Sequence, residues 1–289
     1  MATETIGTAP RTLMMLTAYD GTRFHGWQRQ TGHRTVQEVL EQSLMRVVRH
    51  PVNIVGCSRT DAGVHAYGHV SHFKTEHPLD VWRFRHAIGS RLPDDVEVIA
   101  LRDVHSDFHA THKAVSKLYR YRIHNARGRP VRTMQQRYCY HFWRRLDVDA
   151  MRLASRHFIG TQDFRSMATR AAEEDNTVRT VLRCDVFRRY HEVVIEIEGT
   201  GFLYNQVRNM VGTLVNVGRD YWPPDKVREI LDARDRTRAG QKAPAQGLAL
   251  CWVRYPAPLL RKDVSCDGST LDGIHPSAVP SDLPEPLTE

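Results

Sequence analysis

The sequence predicts an α+β fold built on a mixed, mostly antiparallel sheet, and three observations carry that expectation. Apolar runs of strand length alternate with segments of helical period from about residue 12 to residue 256. Neighbouring strand-like runs at 179–188 and 191–198 are too close for a crossover helix and must pair as a hairpin. A chain of 289 residues, 41% hydrophobic and 26% charged, has the balance of an ordinary globular protein with room for one large or two modest domains.

Taken in order, residues 1–11 read as a flexible leader and Thr12–Tyr19 as a strand closed by the turn Asp20-Gly21. Thr35-Val36-Gln37-Glu38 has the form of a capping box, opening a helix that runs to about His50. Its core stripe is Val36, Val39, Leu40, Leu44, Val47 and Val48. Strands are expected at 52–58 and 68–75, a helix at 80–90 ended by Leu92-Pro93, and a strand at 95–104. The second half repeats the idiom with a strand at 114–124 and a helix from Val148 to Ile159, stopped by Gly160. The hairpin strands follow, then a helix from Phe202 to Val217, another starting at Pro223-Pro224, and a last strand at Gly247–Tyr255. Ala168–Thr177 reads as an exposed loop. The domains expected are therefore 12–112 and 113–258, with an acidic, disordered tail at 259–289.

No run approaches the roughly 20 apolar residues of a membrane span, and the first residues lack a secretory h-region. Five scattered cysteines without a Cys-x-x-Cys pair fit a reduced, cytoplasmic setting and no structural zinc. The net charge is +8, but residues 263–289 hold six acids and no Lys or Arg, so the first 262 residues carry +14. A basic body suits a polyanion such as nucleic acid, and equally a solvated basic surface. Membrane binding fits less well, because the arginines are not gathered on one helix.

Four segments bear on chemistry. Residues 56–66 read Gly-Cys-Ser-Arg-Thr-Asp-Ala-Gly-Val-His-Ala, with the carboxylate of Asp61 on a tight turn between two strands. Such a turn presents a reactive group to a substrate, although Asp before Ala-Gly also serves plain turns. In the strand Lys117-Leu118-Tyr119-Arg120-Tyr121-Arg122, alternation puts Lys117, Tyr119 and Tyr121 on one face and Arg120 and Arg122 on the other. Aromatic and basic residues side by side suit base stacking and phosphate contact; a half-buried sheet with an arginine rim has the same pattern. In residues 199–212, Leu203, Val207, Met210, Leu214 and Val217 form an apolar stripe, and Arg208 lies about 140° from Leu203, free to reach into a cleft. Cys57, His65, His69 and His72 crowd one stretch, but their spacing matches no common zinc site. Nucleotide-binding glycine loops, a Walker lysine and Gly-x-Ser-x-Gly are missing as well.

Together these segments resemble the tRNA pseudouridine synthase A family. The match runs through Tyr19-Asp20-Gly21-Thr22-x-Phe24-x-Gly26-Trp27-Gln28-x-Gln30, Arg59-Thr60-Asp61-Ala62-Gly63-Val64-His65-Ala66 and Leu92-Pro93-Asp94-Asp95. It continues with Tyr119-Arg120-Tyr121, Gly160-x-x-Asp163-Phe164, Val207-Arg208-Asn209-Met210-Val211-Gly212 and Ala243-Pro244-Ala245-x-Gly247-Leu248. The resemblance implies two ferredoxin-like, RRM-like halves sharing one continuous sheet around a central RNA-binding cleft. It implies a cofactor-free homodimer that isomerises uridine to pseudouridine at positions 38, 39 and 40 of tRNA, in the anticodon arm. By motif position, Asp61 is the catalytic nucleophile, Tyr119 contacts the target uracil and Arg208 pairs with Asp61. Arg59 wedges beside the flipped base. The carboxylate attacks either the sugar C1′ or the uracil ring, and an arginine beside it favours its charged form. Two positions depart from the family pattern: Ser58 replaces the usual Gly before Arg59, and Gln206 replaces the usual Met before Val207. The rival readings are a non-catalytic basic RNA-binding protein and a metal-dependent hydrolase at the histidine cluster.

Overall fold

A computed structural model describes residues 10–128, 135–170 and 176–260. In chain order these form β1 (Arg11–Tyr19), α1 (Val36–Val48), β2 (Val55–Gly56), β3 (His65–Thr75), α2 (Val81–Gly89) and β4 (Val96–Val104). They continue with β5 (Ser116–His124), β6 (Tyr140–His141), α3 (Val148–Ser155), β7 (Gly160–Asp163), β8 (Val178–Arg189), β9 (Glu192–Gly199), α4 (Gln206–Gly218), α5 (Lys226–Ala233) and β10 (Leu248–Arg254). The leader up to residue 9 and the acidic tail from residue 261 lie outside the described residues.

The α+β expectation holds: one open sheet runs in the order β4-β1-β3-β10-β5-β9-β8-β7, with β2 added to β3 and β6 to β5. All pairings are antiparallel except β3 with β10 and β5 with β6. The β3–β10 contact is short, His65 opposite Ala249 and Ala66 opposite Leu250, and it joins the strands before residue 112 to those after 113. β10 in turn sets Leu250 opposite Tyr119 and Leu248 opposite Tyr121. The start of β3, which follows the Asp61 turn directly, is thereby held one strand away from Tyr119. Side chains such as Leu13, Leu40, Leu44, Phe73, Phe84 and Ile88 are fully buried around the first strands, and Phe158, Phe164, Ile195 and Leu214 around the later ones. Each contributes roughly 1.5–3 kcal/mol by leaving water.

Several boundaries differ from expectation, each for a tertiary reason. Thr35 makes no side-chain cap, because the first amides of α1 donate instead to the carbonyls of Gly26 and Trp27, at 3.2 and 3.0 Å. Of the run 52–58 only Val55–Gly56 pairs as a strand. The helix expected up to Ile159 gives way after Ser155 to a tight 3-10 turn, and Gly160, at φ 111°, opens β7. Asn205, in the left-handed region at φ 62°, delays the start of α4 from Phe202 to Gln206. Pro223 and Pro224 stand just before α5, their carbonyls accepting from Lys226 and Val227. Ala168 and Thr177 are buried rather than exposed, and residues 171–175 between them lie outside the described residues. Arg120 and Arg122 also serve a role other than the expected phosphate contact. They turn to the sheet face opposite Tyr119 and form 2.7 Å ion pairs with Glu196 and Glu192 of β9.

Asp95, at the mouth of β4, ties the segment after β1 to the sheet. It accepts from both terminal nitrogens of Arg34, at 2.8 and 2.9 Å, and pairs with Arg23 at 3.0 Å. The Arg34 hydrogen bonds hold its carboxyl below the usual range. A carboxyl depressed by folding contributes stability above its unfolded pKa of about 3.9, and that contribution is lost as pH falls through the folded value. Asp95→Asn should therefore cost about 1–3 kcal/mol at neutral pH, the deficit shrinking in acid; urea melts at stepped pH values check this.

Candidate active site

The Asp61 turn is built by the segment that precedes α1. Trp27 N–H donates to the Thr60 carbonyl at 3.2 Å, Gly63 N–H to Phe24 at 3.2 Å, and Val64 N–H closes the turn onto Asp61 at 3.1 Å. Tyr19 and Thr60 share a buried 2.9 Å hydroxyl–hydroxyl hydrogen bond. Gly63 sits at φ 79° and Gly26 at φ 91°; a Cβ on Gly26 would overlap the Thr60 carbonyl oxygen. Positive φ favours glycine at both places, and backbone contact adds to it at Gly26.

Arg208 approaches from α4 across the chain. Its Nη1 donates to Asp61 Oδ2 at 2.8 Å and to Asn205 Oδ1 at 3.2 Å, while its Nε donates to the Ala243 carbonyl at 2.8 Å. The two side chains are 11% and 18% exposed, so the pair is sheltered yet open on one side. Oδ2 is the pinned oxygen, and Oδ1 makes no hydrogen bond among the described residues. The α4 helix is almost wholly buried rather than one-faced, and Arg208, its one charged residue, is buried with it and reaches the cavity as its angle off the stripe predicts.

Tyr119 is 7% exposed, its ring packed edge-to-face on Phe202 at 5.4 Å and its hydroxyl 3.3 Å from Ser58 Oγ. Burial pushes its phenol well above the usual range, the Ser58 hydrogen bond opposing this, so it is a neutral hydroxyl at physiological pH. Asp61, Tyr119, Arg208 and Arg59 all line a single cavity of about 810 Å³. The first three form its inner wall. Arg59 is exposed at the rim, its Nε donating to Gln28 at 2.8 Å. Lys117, which strand alternation puts on the Tyr119 face, also lines this cavity, as do Asn205 and Phe202, which no sequence pattern singles out. Asn205 stands inside the Gly199–Gly212 motif, but its left-handed backbone has no sequence signal apart from asparagine's tolerance of that region.

The crowded histidines have separate structural tasks. His65 Nδ1 accepts from Gly21 N–H at 3.1 Å, His69 stacks on Trp27 at 3.6 Å, and His72 Nδ1 accepts from Ala110 N–H at 3.2 Å. Burial pushes the His65 and His72 imidazoles down, His72 to about 4, so both are neutral near pH 7. Among the described residues no three His, Cys, Asp or Glu side chains gather as metal ligands, and no helix is long and apolar enough to cross a membrane.

Comparison with known proteins places this sequence in a family. A family model described as tRNA pseudouridine synthase matches residues 15–113 and 154–256. The chain is 41% identical over 245 residues to tRNA pseudouridine synthase A of Thermoanaerobacter sp. (strain X514), covering 85% of this chain and 100% of that protein. It is 42% identical over 238 residues to tRNA pseudouridine synthase A of Exiguobacterium sibiricum, covering 82% and 94%. A protein named tRNA pseudouridine synthase A 2 from Clostridium perfringens is 36% identical over 245 residues, covering 85% and 100%.

The turn geometry has a measurable consequence. Gly26→Ala should cost about 3 kcal/mol or more and disable the site, because strain and backbone overlap add. Gly32→Ala, at φ 77° with open space around it, should cost only about 1–2 kcal/mol. Chemical denaturation of the two variants measures the difference.

Proposed function

The chain belongs to the tRNA pseudouridine synthase family, and we propose that it isomerises uridine in the anticodon arm of tRNA, at positions 38, 39 and 40, with Asp61 as its nucleophile. The observation that carries the assignment is the sheltered 2.8 Å ion pair of Asp61 with Arg208, in a cavity shared with Tyr119.

Isomerisation breaks the N1–C1′ bond, turns the uracil, joins C5 to C1′, releases the C5 proton and returns a proton to N1. Asp61 suits the nucleophilic step. Arg208 holds one carboxylate oxygen, which orients the group, while the other oxygen is left to attack. Tyr119 offers a ring face for the detached uracil, and its neutral hydroxyl can donate a hydrogen bond to a uracil carbonyl while the C5 proton is released. Arg59, at the rim and braced by Gln28, suits the place left by a uridine drawn out of its stack. We read the strands on either side of the β3–β10 seam as the two ferredoxin-like halves and the cavity at that seam as the RNA cleft. A homodimer belongs to the same reading, and sedimentation of the purified protein tests it.

Tritium release from tRNA carrying 5-tritiated uridine is the direct assay. Asp61→Ala and Asp61→Asn should abolish release while tRNA binding stays within about threefold; near-normal release from either sinks the assignment. Arg208→Lys should cut kcat about 100-fold or more with a much smaller change in Kd, since a point charge cannot reproduce the three-way guanidinium contact. An equal loss in kcat and affinity would contradict the orienting role.

A further inference from the structure

Lys117 is a buried charge that the chemistry above does not use. It lies two residues before Tyr119 on the same face of β5, is 7% exposed, and lines the same cavity. Its Nζ donates to the Cys57 carbonyl at 2.8 Å, which occupies one of three ammonium protons. Among the described residues, no carboxylate lies within ion-pair distance of it. The acid that acts on it electrostatically is the Cys57 thiol. Burial pushes that thiol up, but His69 and Lys117 more than offset this and bring it to about 7. Any negative charge it carries is shared with His69, so it balances Lys117 only in part.

A buried ammonium without a full counter-charge is costly, and desolvation lowers the Lys117 pKa accordingly. The rest of the cavity does not relieve it. Among the described residues the lining holds one carboxylate, Asp61, already engaged by Arg208, against the cations Arg59, Lys117 and Arg208. The hydroxyls of Ser58 and of Thr111, which donates to the Gly56 carbonyl at 2.7 Å, complete the Lys117 end of the cavity. A positive surplus in a sheltered pocket, with two free ammonium donors beside hydroxyls, is a site for an anion.

We propose that Lys117 binds a phosphate of the RNA strand that carries the flipped uridine, an inference that rests on the reading of tRNA as the substrate. RNA brings one negative charge per nucleotide, and a phosphate beside the reacting sugar is the group that must enter with it. The competing role for Lys117 is purely structural: its bond to the Cys57 carbonyl steadies the turn that leads to Asp61.

The two roles separate in a salt series with fluorescently labelled tRNA transcript and the full-length protein. Lys117→Met should weaken binding about 5- to 20-fold at low salt and reduce the slope of log Kd against log salt by about one. Lys117→Arg should keep the slope, and in Lys117→Met kcat should fall by a smaller factor than affinity. With the wild-type protein, transcripts bearing one methylphosphonate at a time around the target should include one that loses affinity by a similar factor. That loss should vanish in the Lys117→Met background. The wild-type arm decides the matter even if the Met variant does not fold: no sensitive phosphate overturns the proposal. So does an unchanged salt slope with reduced kcat. Tritium release by the wild type on the same transcripts tests the isomerase reading separately, since phosphate contact and turnover are read by different signals.

Discussion

The Asp61–Arg208 ion pair is the contact on which the rest of the architecture depends. It joins a turn at the start of β3 to a helix 147 residues further along the chain. A sheltered pair stabilises a protein only if its remaining donors and acceptors are also met. Here that condition recruits Ala243 and Asn205 to the guanidinium, and the segment Tyr19–Gln28 to the turn. The motifs scattered along the sequence are thus the separate pieces of one clamp. Gly26 permits the close backbone path and Gly63 the positive-φ turn, Tyr19 holds Thr60, and the Ala243–Gly247 stretch braces both Arg208 and Tyr121, whose hydroxyl donates to the Pro244 carbonyl at 2.7 Å.

The sheet supplies the second constraint. A two-residue parallel contact between β3 and β10 is a small area of pairing, yet it sets the distance between the Asp61 turn and Tyr119. Antiparallel pairing of β10 with β5 fixes which face Tyr119 presents, and strand alternation sends Arg120 and Arg122 to the other. A one-residue slip in that register would exchange the aromatic and cationic faces. The location of the cavity is therefore a property of register as much as of the residues that line it.

Charge had to be sorted in the same way. The basic body of the chain suggested a polyanion, but many arginines are spent on structure: Arg34 on Asp95, Arg120 and Arg122 on β9, Arg188 on the Leu146 carbonyl. Among the described residues the positive charge that faces the cavity includes Arg59 and Lys117, beyond the Arg208 that Asp61 already occupies. Net charge reported the partner class without identifying the residues that meet it.

Much was legible from the sequence alone. Strand and helix periods located nearly every long element, because side-chain burial repeats locally at two or 3.6 residues. The ordered motifs named Asp61, Tyr119, Arg208 and Arg59, and the helical angle of Arg208 announced that it leaves the apolar stripe. Only the tertiary structure decided what those residues touch. The unused Thr35 cap, the late start of α4 at Asn205, the ion-paired Arg120 and Arg122 and the partly balanced Lys117 all depend on partners distant in sequence. Local propensity is set by a residue's neighbours along the chain, whereas a hydrogen-bond partner or a missing counter-charge is set by which strands lie side by side.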